Sequence, residues 1–318
     1  MQLMKKILVT GANGFIGQSI CEALFKANRL FAGTIRSKGF KSSNDNIEYI
    51  PVDDIGNSTN WKIALKGVDC IIHCAGRAHI MKKIDANEKK ILNSVNVDGT
   101  KQLAKQASEL GVKRLVFLSS IKVNGEVTKE KEIFRYNDTP NPKDAYAKSK
   151  LEAEKVLWKV SSELGLEIVI VRLPLVYGFD VRGNLARLIK LIKSNVFLPL
   201  SLVKNRRSMI GIDNLVDLLN HCIDNPNASG KTFLASDGED LSTPELIKFI
   251  ASSMGKKANL FPLPIFMLKF LGLVFGRREE INRLVGSLMI DNTYTKEILD
   301  WTPSVSVEEG IRRMVQGK

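Results

Sequence analysis

Cysteine and histidine are scarce in this chain: its 318 residues include four of the first and three of the second. Cys21, Cys70, Cys74 and Cys222 form no Cys-x-x-Cys pair, and no histidine-rich stretch accompanies them. A disulfide framework and a zinc site are therefore not indicated, and no metal is expected. Aromatic residues make up only 7% and never interleave with a basic block. The net charge of +13 is spread along the chain, +8 over residues 1–180 and +5 over residues 181–318, so no nucleic-acid partner is expected. No apolar run is long enough to span a bilayer. The nearest, Phe261–Phe275, is interrupted by two prolines and Lys269 and followed by Arg277 and Arg278. Buried packing is the first reading of that stretch, and a membrane contact through residues 261–278 the alternative. The opening Met1–Val9 is too poor in apolar residues for a signal peptide, so the expected location is cytoplasmic.

What is present is a globular composition, 44% hydrophobic and 25% charged, in a length that fits one large domain or two moderate ones. The short apolar run Lys6–Val9 feeds Thr10-Gly11-Ala12-Asn13-Gly14-Phe15-Ile16-Gly17, and a helical pattern follows to about Ala27. Strand, glycine turn and helix in that order bring backbone close to a pyrophosphate, which the helix N-terminus favours. A second strand ends near Ile35, where Arg36 can meet a 2′-phosphate and tilts the cofactor toward NADP(H). Ile47–Asp54 reads as a third strand, Trp61–Lys66 as a helix, and Val68–Gly76 as a buried strand ending in His73, best read as a structural histidine. Leu92–Leu110 is a helix stopped by Gly111, and Arg114–Ser120 a strand ending in two hydroxyls. Glu167–Arg172 is one more strand. This alternation predicts an α/β fold, a Rossmann-type doubly wound parallel sheet. Beyond about Tyr177 it loosens into helices at Leu185–Lys193, Asp213–Ile223, Thr243–Met254 and Val307–Val315. A smaller mixed α/β C-terminal substrate lobe over residues 179–318 is therefore expected beside a dinucleotide-binding domain over residues 1–178, with the boundary approximate and room for the chain to cross back.

Asp144-Ala145-Tyr146-Ala147-Lys148-Ser149-Lys150 sets a tyrosine and a lysine one helical turn apart, on one face. A phenol near pKa ~10 is a weak base, and an adjacent ammonium is expected to favour its phenolate.

Together with His73-Cys74-Ala75-Gly76, Asn96-Val97-Asp98-Gly99-Thr100, Ser119-Ser120 and Arg172–Gly178, these stretches resemble the extended short-chain dehydrogenase/reductase family. Within it they are most similar to the branch of sugar-nucleotide 4-epimerases and 4-ketoreductases. The resemblance implies Tyr146 as general acid/base, Ser120 as a second hydrogen bond to the substrate oxygen, and Lys150 on the nicotinamide ribose, lowering the tyrosine pKa. It gives Gly11, Gly14 and Gly17 to the pyrophosphate, with Asn13, Phe15, Ile16, Cys74, Ala75 and Gly76 also at the cofactor. Asp54 and Ile55 go to the adenine, and Asn96 supports the active-site helix. Asn184, Arg207 and Arg283 match positions that hold the substrate's nucleotide diphosphate. A homodimer through residues 92–110 and 145–164 is implied as well.

Dehydratases of this kind carry an Asp-Glu pair after the active-site hydroxyl, where this chain has Ile121 and Lys122. The expected activity is therefore NAD(P)-dependent hydride transfer at C4 of a UDP-hexose, with 4-keto reduction set slightly ahead of 4-epimerisation on account of Arg36. Action on a lipid-linked sugar diphosphate, and a non-catalytic NADP(H)-sensing protein, are the remaining alternatives.

Overall fold

The computed structural model describes residues 5–36, 47–77, 86–129 and 132–317. In its first half the chain runs β1 (Ile7–Thr10), α1 (Phe15–Lys26), β2 (Phe31–Arg36), β3 (Tyr49–Val52), β4 (Cys70–His73), α2 (Ala86–Asn93), α3 (Gly99–Glu109), β5 (Arg114–Ser120), α4 (Ala145–Leu164) and β6 (Glu167–Leu173). It continues through β7 (Leu175–Tyr177), α5 (Asn184–Lys193), β8 (Met209–Gly211), α6 (Ile212–Asp224), β9 (Lys231–Leu234), α7 (Thr243–Ser253), α8 (Ile265–Val274), α9 (Arg278–Val285), α10 (Thr293–Leu299) and α11 (Val307–Gln316).

Seven strands form one parallel sheet in the order β3-β2-β1-β4-β5-β6-β9. Its central strands are apolar on both sides because helices cover both faces. On β1, Ile7 and Val9 meet α1 and α6, while Leu8 faces the layer that contains α3 and α4. The order reverses between β1 and β4, and a crevice opens there at the strands' C-terminal ends.

The structure departs from two expected helices. Trp61–Lys66 is a pair of turns, not a helix. Trp61 is fully buried and its backbone N–H donates to Gln106 Oε1 (2.8 Å); the Leu65 N–H bonds the Trp61 carbonyl (2.9 Å), but the Lys66 N–H goes to Ile63 (3.4 Å) and the ladder does not continue. Gly67, at φ +69°, ends the segment before a second turn can form. The helix expected over 92–110 begins earlier, at Ala86, and its middle, Ser94–Asp98, is wound as a π-helix. The chain also returns to the sheet after residue 178. β9 pairs with β6, α6 buries Leu215, Leu218 and Cys222 against the sheet, and Trp301 packs into the same core with its indole N–H on Asp217 (2.8 Å).

What lies outside the sheet layers is a lobe of β7, β8, α5, α7, α8, α9 and α11 around its own core, including Leu185, Ile247 and Ile311. The Tyr177 hydroxyl donates to Asp237 (2.7 Å), and Asp237 accepts in turn from Asn214 (2.7 Å) and the Gly211 N–H (2.9 Å), which ties this lobe to α6.

Within the lobe the apolar stretch is not buried. Helix α8 hides only Leu268 and Gly272, while Phe266, Phe270 and Phe275 are 72%, 63% and 71% exposed. The first reading of residues 261–275 as core is therefore overturned. A ten-residue helix docked through one i, i+4 stripe leaves its other sides to solvent.

Candidate active site

The glycine turn shapes the crevice. Gly11 adopts φ +68°, and a Cβ there would come within 2.9 Å of the Ala75 backbone. Helix α1 starts at once, with Gly14 as N-cap and no side chain capping its first turn. A cleft of about 750 Å³ runs from this turn, past the ends of β2 and β3, to the end of β4. Its walls include Gly11, Asn13, Gly14, Arg36, Asp54, Ile55, Cys74, Ala75 and Gly76, all expected at a cofactor. The cradle that a Cβ would fill, the positive end of α1 and this volume fit a dinucleotide.

Phe15, Ile16, Gly17, Asn96, Tyr146 and Lys150 are not part of that wall. Gly17 is buried beneath the turn, where a Cβ would land on the Gly11 carbonyl. It therefore lets α1 pack against the turn and does not itself face the cleft, contrary to the expected pyrophosphate contact. A Gly17→Ala substitution is expected to displace the turn, cutting nucleotide affinity by more than tenfold, on the order of 1.4 kcal/mol or beyond. Calorimetric titration of the variant with NADH checks this. Sequence reasoning did not name Thr34, Asp53, Ser94, Arg77 and Arg182, which also line the cleft. Only their placement in the fold marks them.

His73 is held on both sides. Thr100 donates to the Asn96 carbonyl (2.7 Å), so its oxygen accepts from His73 Nε2–H (3.0 Å). His73 Nδ1 then accepts from the Thr10 hydroxyl (2.7 Å), whose oxygen accepts from the Ala75 N–H (3.2 Å). Burial pushes the imidazole down to about 3, so it stays neutral as a structural strut between β1, β4 and the π-helical turn. Burial also pushes the Cys74 thiol well up, leaving it an uncharged wall.

Asn96 sits in that π-helical turn, a feature frequent at functional sites. It accepts from the Arg77 N–H (2.8 Å) and donates to Ser149 on α4 (3.0 Å). Ser149 passes its own proton to the Tyr146 carbonyl (2.8 Å). Asn96 thus joins the cleft wall to the first turn of α4.

The Asp144 carboxylate caps α4 by accepting from the Ala147 N–H (2.7 Å) and pairs with Lys122 (2.5 Å). The Tyr146 phenol and the Ser120 hydroxyl, from α4 and the end of β5, are brought near each other. Lys150 is buried one turn on, with Nζ donating to the Leu118 carbonyl (2.8 Å) and lying 4.4 Å from the centre of the Phe117 ring.

The electrostatics differ from the sequence expectation. Burial, then the Asp144 charge, push the Tyr146 phenol up to about 12, and only the Ser120 hydrogen bond pulls it down. Lys150, whose ammonium is directed at the Leu118 carbonyl and the Phe117 ring, is not among the groups that shift the phenol. Burial in turn holds Lys150 down to about 8, opposed by Cys74 and Glu154. The unfolded chain keeps that proton up to about 10.5, so between 8 and 10.5 it binds more protons than the folded one. Stability from this group is fully present above 10.5 and is lost as pH falls through 8. A Lys150→Met variant is therefore expected to melt higher than the parent at pH ~7, by up to about 3 kcal/mol less the lost Leu118 hydrogen bond. The gap should close near pH 10.5. Thermal melts at the two pH values check it.

Beneath the site lies a group that sequence reasoning missed. Side chains alternate along a strand, so Leu115, Phe117 and Ser119 of β5 face α4 together with Ile168, Ile170 and, in register with Ser119, Arg172 of β6. Glu154 meets them from α4. Its carboxylate takes a forked ion pair from Arg172 (3.0 and 2.7 Å) and a short hydrogen bond from Ser119. Arg172 also reaches Asn124 (2.9 Å), which holds the Arg135 carbonyl (2.9 Å) of the loop after Ser120.

That loop is hydrogen-bonded to the second lobe, Thr128 to Ser287 and Phe134 to Met289, and the strip from 287 to 290 bonds to Arg206 and Ser208. Arg207 and Arg283 are brought together at its end. Arg207 donates to the Arg283 carbonyl (2.9 Å), and burial together with the Arg283 charge lowers its pKa. Asn184 stands on a separate element, exposed at the start of α5. Among the described residues no group of His, Cys, Asp and Glu could hold a metal ion.

The chain is similar to known proteins over nearly all its length. It is 39% identical to a UDP-glucose 4-epimerase of Vibrio cholerae, over 99% of this chain and 96% of that one. It is 27% identical to the N-acetyl-alpha-D-glucosaminyl-diphospho-ditrans,octacis-undecaprenol 4-epimerase of Escherichia coli O157:H7, over 84% and 77%. Its fold matches the UDP-glucuronic acid 4-epimerase of Bacillus cereus, solved with NAD, at a TM-score of 0.78 and 21% identity, over 98% and 97% of the two chains. These relatives are named for epimerisation, so the lead given to 4-keto reduction finds no support among them. The model of the NAD dependent epimerase/dehydratase family matches residues 7–235, across the cleft and the Ser120–Tyr146–Lys150 cluster, and the chain belongs to that family.

Proposed function

We propose that the chain is an NAD-dependent UDP-hexose 4-epimerase. The observation that carries this reading is the 39% identity, over nearly the whole of both chains, with the UDP-glucose 4-epimerase of Vibrio cholerae. The presence of Ile121 and Lys122 after Ser120 speaks against dehydration, which needs an acid and a base there.

In this reading Gly11, Asn13, Gly14 and Ala75 hold the dinucleotide along the cleft, with Asp54 and Ile55 at its adenine end and Lys150 at the nicotinamide ribose. A nicotinamide bound there would supply the acceptor and donor of hydride, and its positive charge would favour the Tyr146 phenolate. Tyr146 Oη takes the proton from the substrate O4 as hydride leaves C4, and returns it when hydride comes back to the opposite face. Ser120 Oγ hydrogen-bonds the same oxygen and follows its changing charge. Arg207 and Arg283 bind the substrate diphosphate, for which a guanidinium fork is suited.

The test is incubation of the purified chain with UDP-glucose, following UDP-galactose by NMR with no reductant added. Interconversion at catalytic turnover supports the epimerase. A requirement for one equivalent of reduced cofactor per product would sink it in favour of the 4-ketoreductase. That second reading is favoured by Arg36, which ends β2 in the cleft wall and suits a 2′-phosphate. Mass analysis of nicotinamide retained by the fresh protein separates the two, since an epimerase regenerates its cofactor each cycle.

A further inference from the structure

Helix α8 is a surface feature that neither the cleft nor the lobe's core accounts for. Six of its exposed or flanking residues, Phe266, Met267, Phe270, Leu273, Val274 and Phe275, are large, apolar and 41–72% exposed. Together they form an apolar patch of the kind that marks an interaction site. At ten residues the helix is about 15 Å long, too short to cross a bilayer, and among the described residues no helix is long and apolar enough to do so.

The charge around it identifies the partner. The 24 residues from 255 to 278 carry five Lys and Arg and no Asp or Glu. They are stitched to residues 193–201 by Leu198 N–H on the Asn259 carbonyl (2.8 Å), Phe261 N–H on the Leu198 carbonyl (3.0 Å) and Lys256 Nζ on the Lys193 carbonyl (2.5 Å). The adjoining segment 186–204 carries four more basic residues, again with no acid, and exposes Phe197 at 71%. Nine cations surround an apolar protrusion, and among the described residues only Arg277 pairs with an acid, Glu280 at 3.8 Å, in a chain that elsewhere mixes both signs. A second copy docked symmetrically on this face would set nine cations against nine.

We propose that α8 is a peripheral membrane anchor that seats the protein on an anionic lipid bilayer. The phenylalanines enter the boundary between headgroups and acyl chains, and Lys269, Arg277 and Arg278 reach back to lipid phosphates along their aliphatic stems. The short buried stripe is part of this design. Gly272 lies against Ile281, where a Cβ would approach within 2.7 Å, so α8 rests closely on α9 and leaves its remaining surface free. Because α9 also carries Arg283, the bilayer lies beside the lobe that holds the two converging arginines. The inference does not depend on which reaction the site performs.

The experiment is sedimentation of the full chain with vesicles of phosphatidylcholine alone and of phosphatidylcholine mixed with phosphatidylglycerol. A Phe266→Glu/Phe270→Glu variant is run in parallel. Both residues are exposed, and an unchanged melting curve and unchanged NADH binding establish that the variant is folded. The expected result is partition to the anionic vesicles at least about tenfold above the neutral ones, weakened by salt and lost in the variant. A parent chain that stays in the supernatant with both vesicles overturns the proposal. So does a variant that binds as well as the parent. Sedimentation velocity without lipid adds a third reading: a dimer that the variant converts to monomer would assign the patch to a second copy and overturn the membrane.

Discussion

Replacing Tyr146 with Phe is expected to reduce turnover by about 10³-fold or more while leaving cofactor affinity nearly intact. The substitution removes one oxygen and keeps the ring. The Tyr146 side chain is half-buried, and its surroundings already hold the phenol neutral, with its pKa up to about 12, so no charge is lost from the folded chain. Tyr146 also lies outside the wall of the cleft, so removing its hydroxyl takes nothing from the glycine turn or the adenine end. What disappears is the acid/base group placed beside Ser120 at the end of β5. Ser120→Ala should be milder, about 10–100-fold, because it removes one hydrogen bond to a charged oxygen and no proton carrier. Comparing kcat for UDP-sugar interconversion with the NADH dissociation constant, in both variants, checks the pair. Full activity in Tyr146→Phe would remove the tyrosine from the mechanism. A parallel loss of cofactor binding would mean that the first turn of α4 had moved instead.

The parts of the fold that were legible in the sequence are those set by local chemistry. β1, β4, β5 and β6 are short, largely apolar runs with both faces buried. The glycine turn was readable because Gly11 needs a positive φ. Tyr146 and Lys150 were readable because one helical turn puts them on the same face. The misreadings come from interactions between distant residues. Trp61–Lys66 looked helical, but Trp61 is held in the core, with its N–H on Gln106, 45 residues away, and Gly67 ends the segment after one turn. α6 looked like part of the second lobe, but its stripe of Leu215, Leu218 and Cys222 fits the sheet. Phe261–Phe275 looked like core because composition records how apolar a segment is and not whether anything covers it. The pKa of Tyr146 failed for a related reason. Spacing brings an ammonium near a phenol, but burial and the Asp144 charge, which spacing does not reveal, set the direction of the shift.

The Glu154–Arg172 pair was invisible for the same reason, and it underlies the largest stability effect expected here. Glu154 is 2% and Arg172 5% exposed. Two charges taken out of water are tolerable only while each satisfies the other, and Glu154→Ala leaves a buried guanidinium with Asn124 as its remaining side-chain partner. The expected cost is about 3–5 kcal/mol, or a fall in melting temperature on the order of 10 °C. A purely structural role predicts nothing more. The geometry predicts a second effect, because Arg172 also grips Asn124, and Asn124 holds the loop that leaves Ser120 for the second lobe. A Glu154→Leu/Arg172→Met double variant should recover most of the stability, since buried pairs are often replaceable by apolar residues of similar volume. It should not recover kcat, because Asn124 and the end of β5 remain unanchored. Melting curves and turnover on the single and double variants separate the two contributions. If the double variant is both stable and fully active, the pair is only packing. If it is stable and slow, the pair positions Ser120 against Tyr146, and the polar floor of the site is part of what the reaction requires.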